Sequence, residues 1–140
     1  SMRMEKMYRA WGNEFTEEIS GVEAGMERFI DTDRDFIGKE NILHRCSQGV
    51  DIQLAYLAFD DDIACECFGN EAVYHSGELV GLTTGGAYGH RVGRSLAFAY
   101  LKPALVAQDV QLQVLTTSGM RNCHVEVDAL YDPKNERLRG

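Results

Sequence analysis

The sequence predicts a mainly β protein: a small closed, Greek-key-like barrel of about six strands, preceded by a mixed helical segment. Three observations carry this expectation. From Asp51 onward, short apolar and β-branched runs recur at close spacing between turn residues, with almost no helical periodicity. Leu96-Ala97-Phe98-Ala99-Tyr100-Leu101 is apolar on both faces at a period of two, as in a strand covered on both sides. Between these, in the stretch from Gly81 to Gly93, Gly85, Gly86, Gly89 and Gly93 supply the backbone freedom of a barrel corner or a long hairpin, so this stretch reads as strand, glycine-rich bend, strand.

Taken in order, residues 1 to 12 read as a helix. Met4, Met7, Tyr8 and Trp11 form one apolar stripe, and Gly12-Asn13 supplies the stop. Val22 to Ile30 holds a short strand of mixed periodicity, and Asp31 to Asp35 a loop. A second helix starts at Phe36, with Asp35 as its N-cap and Ile42-Leu43 on its apolar face. Gln48-Gly49 ends this part, and the domain boundary is expected there, dividing 1–48 from 49–140. Ile52, Leu54, Tyr56 and Leu57 or Phe59 then give an alternating strand up to the solvated turn Asp60-Asp61-Asp62. An irregular loop follows to Asn70. Ala72-Val73-Tyr74 leads through a Ser76-Gly77 hairpin turn into Leu79-Val80 and the glycine-rich stretch. Pro103 stops the central strand. Val110, Leu112 and Val114 alternate, as do Cys123, Val125 and Val127, with Ser118-Gly119 between them and Asp132-Pro133 closing the last strand.

The 140 residues are 44% hydrophobic, enough for a globular core. No run of 18 apolar residues predicts a membrane span, and Arg3, Glu5 and Lys6 interrupt any leader-like start. The formal net charge of −8 argues against a nucleic-acid partner, because phosphates would be repelled. A small anionic ligand would need a local basic site. Cys46, Cys65, Cys67 and Cys123 read as free thiols in a reducing compartment, with a cytoplasmic location expected.

Several chemistries find little support. The glycines precede no Lys-Ser or Lys-Thr and open no helix, so they do not read as a phosphate cradle. Cys65-x-Cys67 and Cys123-His124 hold soft metal ligands. However, adjacent residues on a strand point to opposite faces, and no metal site is expected. Cys46 and His44 sit close in sequence, which alone does not make a nucleophile pair. No paired-carboxylate site stands out.

Glu78-Leu79-Val80-Gly81, Thr84-Gly85-Gly86 and Arg94 to Leu101 resemble the barrel signature of the glycine-cleavage T-protein (aminomethyltransferase) family. Gly69-Asn70-Glu71 and Leu96-Ala97-Phe98-Ala99-Tyr100 resemble most the folate-binding portion of the dimethylglycine and sarcosine dehydrogenases. Arg3-Met4-Glu5, Tyr8, Trp11-Gly12 and Val22-Glu23-Ala24-Gly25 resemble the end of the folate-binding domain in that family.

The resemblance implies that 1–48 is the tail of a folate-binding domain and 49–140 the aminomethyltransferase-type barrel. It implies tetrahydrofolate as cofactor, bound by Arg3, whose guanidinium fork suits a carboxylate or pterin acceptors. Trp11 could stack there, although its stripe also suits a core. Glu23, Tyr131 and Arg137 complete the candidates. The acidic residue that assists one-carbon transfer lies, in the family, in a part with no match here. No catalytic residue is therefore assigned, and the isolated segment is expected to be inert. A flavin (FAD) would belong to an upstream domain. The expected partners are the small-molecule folate and the rest of the same chain, with no membrane. The implied activity is capture of a one-carbon unit from glycine, dimethylglycine or sarcosine. The alternatives are a non-catalytic folate-binding or regulatory member, and a folate-dependent demethylase with another methyl donor.

Overall fold

The computed structural model describes residues 1–64 and 67–139. Six strands form a closed barrel: β1 (Gln53–Phe59), β2 (Ala72–His75), β3 (Glu78–Gly89), β4 (Arg94–Leu101), β5 (Gln111–Thr116) and β6 (Gly119–Glu126). Around the barrel they run β1-β4-β3-β2-β5-β6, and every pairing is antiparallel. The return of β1 to lie beside β4 is the Greek-key connection that the sequence predicts. Three short helices lie outside it: α1 (Met2–Glu5), α2 (Lys39–Gln48) and α3 (Glu136–Arg139).

Side-chain alternation explains the closure. β5 and β6 bury every second residue, with Leu112, Val114, Cys123 and Val125 inside and Gln111, Gln113 and Asn122 outside. β1 and β4 are buried on both faces. Ala55, Leu57, Phe59, Ala97, Ala99 and Leu101 fill the barrel interior. Leu54, Tyr56, Ala58, Leu96 and Phe98 form a second cluster with Met4, and Met7 packs against it. The N-terminal segment therefore lies on the outer wall of β1 and β4, and Tyr56 and Phe98 meet there with ring centroids 5.4 Å apart. The two-faced reading of the central strand holds. β1 differs from its predicted alternation because a second cover buries its outer face as well.

The glycine-rich stretch is not a bend between strands. Gly81, Gly85, Gly86 and Gly89 lie within the 12-residue β3, and the chain turns at His90–Gly93 instead. Close approach of β4 gives the reason. A Cβ on Gly81 would lie 2.1 Å from the Tyr100 carbonyl oxygen, and one on Gly86 2.4 Å from that of Leu96. A bulge between Thr83 and Gly85 leaves Thr84 outside the β3–β4 register.

The N-terminal helix is one turn long rather than twelve residues. Tyr8 N–H donates to Arg3 O at 2.8 Å and Met7 N–H to Met4 O at 3.0 Å, while Met7 adopts φ 57°. That is a Schellman stop with methionine at the usual glycine position, so its sequence signal is hidden. The segment Val22–Ile30 is turn and a 3₁₀ turn (Glu27–Phe29), not strand. Helix α2 starts after Gly38 (φ 90°), three residues later than expected, and has no buried residue; Leu43 is exposed. Its end at Gly49 matches the sequence. Val127 is exposed beyond β6, which stops at Glu126, well before Asp132-Pro133.

The acidic turn 60–62 is solvent-facing at Asp60 and Asp62, as expected, and two of its carboxylates also hold partners. Arg121 grips Asp61 with Nε donating at 2.8 Å and a second bond from Nη2. His124 Nδ1 lies 2.6 Å from Asp60 Oδ1, and Nε2 lies 3.1 Å from Glu126 Oε1. Burial opposes charge on His124, but the hydrogen bonds to Asp60 and Glu126 prevail and raise its pKa above the ordinary value. Of the thiols, Cys46 is exposed while Cys67 and Cys123 are buried. Cys65 lies outside the described residues.

Three outcomes follow. Gly81→Ala loses about 3 kcal/mol in urea unfolding, since backbone must move. Gly77→Ala, at φ 83° in open space, loses about 1 kcal/mol. For His124, a raised folded pKa contributes stability that is fully present below the unfolded value and fades as pH rises through the folded one. The stability gap between wild type and His124→Gln is therefore larger at pH 6 than at pH 9.

Candidate functional site

Glu14 is the centre of the site. Its residue exposure is 0%, yet it carries a carboxylate, so its oxygens must be met by donors. Arg3 Nη1 donates to Oε2 at 2.9 Å, and Ala10 N–H donates to the same oxygen at 2.8 Å. Thr84 Oγ1 donates to Oε1 at 2.8 Å. The Tyr100 hydroxyl donates to the Glu14 carbonyl at 2.7 Å. Burial and the Glu14 charge push the Tyr100 phenol up, so it stays a donor.

The fold makes this arrangement from distant residues. The Schellman stop turns the chain back so that residues 10–14 loop over β3 and β4. The bulge frees Thr84 from the ladder and aims it at Glu14, while its neighbour Thr83 bonds Glu71. Glu71 in turn accepts Phe68 N–H at 2.8 Å and Gly69 N–H at 3.0 Å, fixing the loop beside Thr84.

Arg3 is thereby held with one edge free. Nη1 serves both Glu14 and Tyr8 O, the latter at 3.1 Å. Nε and Nη2 hold no hydrogen bond among the described residues, and the side chain is 33% exposed. Nη2 lies 4.0 Å from where a Cβ on Gly85 would sit, an ordinary contact distance. Trp11 is 77% exposed, not part of a core, and presents an uncovered indole. The stripe that suggested a core continued past the true end of α1.

The other candidates lie in separate clusters. Glu23 is buried, and both carboxylate oxygens are engaged: Oε2 by Ser20 N–H at 2.7 Å, Oε1 by Arg45. It also accepts Leu54 N–H at its carbonyl at 2.8 Å, tying the N-terminal segment to β1. Tyr131 and Arg137 do come together. The Arg137 guanidinium and the Lys6 ammonium each lie 5.9 Å from the Tyr131 ring centroid, and Tyr131 and Arg137 line an open cleft of about 350 Å³. Tyr131 N–H donates to Glu5 O at 3.2 Å, which places this cluster against α1, the helix that carries Arg3.

Sequence reasoning missed Glu14, Thr84 and Tyr100. A glutamate in Trp-Gly-Asn-Glu-Phe reads as solvated, and no local pattern signals its burial. Among the described residues, no group of three His, Cys, Asp or Glu could hold a metal ion. Among the described residues, no helix is long and apolar enough to cross a membrane.

Comparison with known proteins gives this geometry a context. Residues 53–132 match the glycine cleavage T-protein C-terminal barrel domain. The chain is 35% identical to mouse dimethylglycine dehydrogenase, mitochondrial, over 99% of its own length and 16% of that protein. It is 33% identical to 4-methylaminobutanoate oxidase (formaldehyde-forming) of Paenarthrobacter nicotinovorans, over 100% of its length and 17% of that protein. It thus spans a small part of either relative. Glycine cleavage system aminomethyltransferase T from Bartonella henselae has the same fold, with a TM-score of 0.83 at 15% identity, over 94% of this chain and 37% of that one.

Proposed function

The chain belongs to the glycine cleavage T-protein C-terminal barrel family, and from that premise we propose that it is the C-terminal part of a tetrahydrofolate-dependent aminomethyltransferase-like protein. We assign the whole protein to the dimethylglycine or sarcosine dehydrogenase type, which delivers a one-carbon unit to tetrahydrofolate. One observation carries this reading. The similarity to mouse dimethylglycine dehydrogenase covers 99% of the chain, including the segment that presents Arg3 beside the barrel.

The donor set fits a folate. Glu14 fixes one nitrogen of the Arg3 fork and leaves two N–H edges for a planar acceptor or a carboxylate. The exposed Trp11 offers a face for a flat ring. Bound there, tetrahydrofolate supplies the amines that accept a carbon at the formaldehyde level. This chain's part is to orient the ligand and to wall it from water, which would otherwise hydrolyse a reactive imine. Oxidation of the methylamine would fall to a flavin domain upstream. Cys46 and Cys123 are free thiols, which favours a reducing compartment, and the cytoplasm is our expectation.

The bacterial oxidase among the relatives supports a second reading, a demethylase for another N-methyl donor. The two part on substrate. The whole protein should convert dimethylglycine or sarcosine to methylenetetrahydrofolate on the first reading, and 4-methylaminobutanoate on the second. Folate binding without turnover of any of the three would leave the regulatory role.

Arg3→Lys tests the site itself. Lysine keeps the charge beside Glu14 but loses the fork. Tetrahydrofolate binding by the whole protein should weaken about tenfold, with the melting temperature nearly unchanged. Wild-type affinity in this variant would remove Arg3 from the site.

A further inference from the structure

A second basic place is built from residues other than Arg3. Lys6, Arg9 and Arg28 all line one cleft of about 180 Å³, formed where the N-terminal segment meets the chain that leaves β6. In a chain of net charge −8 this is a local reversal of sign.

Arg9 is the unusual member. Its Cζ sits 5.9 Å from the Phe98 ring centroid, against the barrel wall. The hydrogen bond from its guanidinium is Nη1 to Met7 O at 3.0 Å, and its Nε is buried with no partner. A buried donor left unmet is rare in folded proteins. Neither Arg9 nor Arg28 takes part in an ion pair among the described residues. Burial and the positive charge of Arg28 together hold the Arg9 guanidinium below its ordinary pKa, while Tyr100, Glu14 and Glu27 act the other way. Lys6 by contrast is satisfied, with Nζ 2.9 Å from Asp132 Oδ2 and 2.6 Å from Asp132 O. The turn at Gly25 (φ 63°) closes over the site, since a Cβ there would lie 3.5 Å from Arg9 Nη2.

The geometry points to a carboxylate-binding subsite held by Arg9 and Arg28. Asp128 and Asp132 also line the cleft, which favours a singly charged carboxylate over a doubly charged phosphate. The carboxylate could come from a free small metabolite or from the glutamyl tail of a folate.

The test is a titration of the 140-residue chain with sodium glutarate, followed by amide shifts of Arg9 and Gly25 and by the Arg9 Nε–H signal. Ionic strength is held constant with sodium chloride. Saturating shifts at millimolar glutarate are expected. The half-saturation concentration should rise about fivefold or more in Arg28→Gln and in Arg9→Met. Arg28 is exposed, so its variant keeps the fold. Competition by folic acid but not by pteroic acid would identify a folate tail as the source. Competition by neither would identify a free carboxylate. Shifts that do not saturate, or that saturate equally in both variants, would overturn the subsite.

Discussion

Everything at the site depends on one buried carboxylate. Glu14 has no contact with solvent, so the chain must bring donors to it or lose several kcal/mol to an uncompensated charge. Those donors come from three places: α1 through Arg3, the following loop through Ala10, and the β3 bulge through Thr84. Tyr100 of β4 secures the backbone at the same residue. The result joins the N-terminal segment to the barrel and sets the direction of Arg3. The local structure and the presentation of the Arg3 guanidinium are thus consequences of one constraint.

The apolar packing agrees with this. β1 and β4 carry hydrophobic residues on both faces, which a free-standing barrel would not need. Met4 and Met7 cover the outer face, and Glu23 and Tyr131 tie the same segment down by backbone hydrogen bonds to Leu54 and Glu5. Large apolar side chains remain exposed on the N-terminal side, Met2, Trp11, Phe29 and Ile37 among them. Their exposure fits the proposal that further parts of a longer protein complete the folate site.

The barrel was legible because β5 and β6 obey a period of two, and because the Leu96–Leu101 run could only be a strand covered twice. Glycine misled, since at Gly81 and Gly86 it serves close strand approach rather than a bend. α1 misled because Met7 holds a left-handed backbone that glycine would have announced. At the site, Arg3 could be named from a family pattern, but its partners could not. Glu14, Thr84 and Tyr100 are joined by tertiary contacts across 70 and 86 residues of sequence, and no local pattern encodes such a meeting.

Glu14 couples the N-terminal segment to the barrel. A double-mutant cycle tests it most directly, with Glu14→Gln, Thr84→Val and the double variant compared by urea unfolding. A coupling of about 1 kcal/mol or more is expected, because Thr84→Val removes the donor and Glu14→Gln replaces its charged acceptor with a neutral amide. Additive losses, equal within about 0.3 kcal/mol, would contradict it and leave the contact as proximity without consequence.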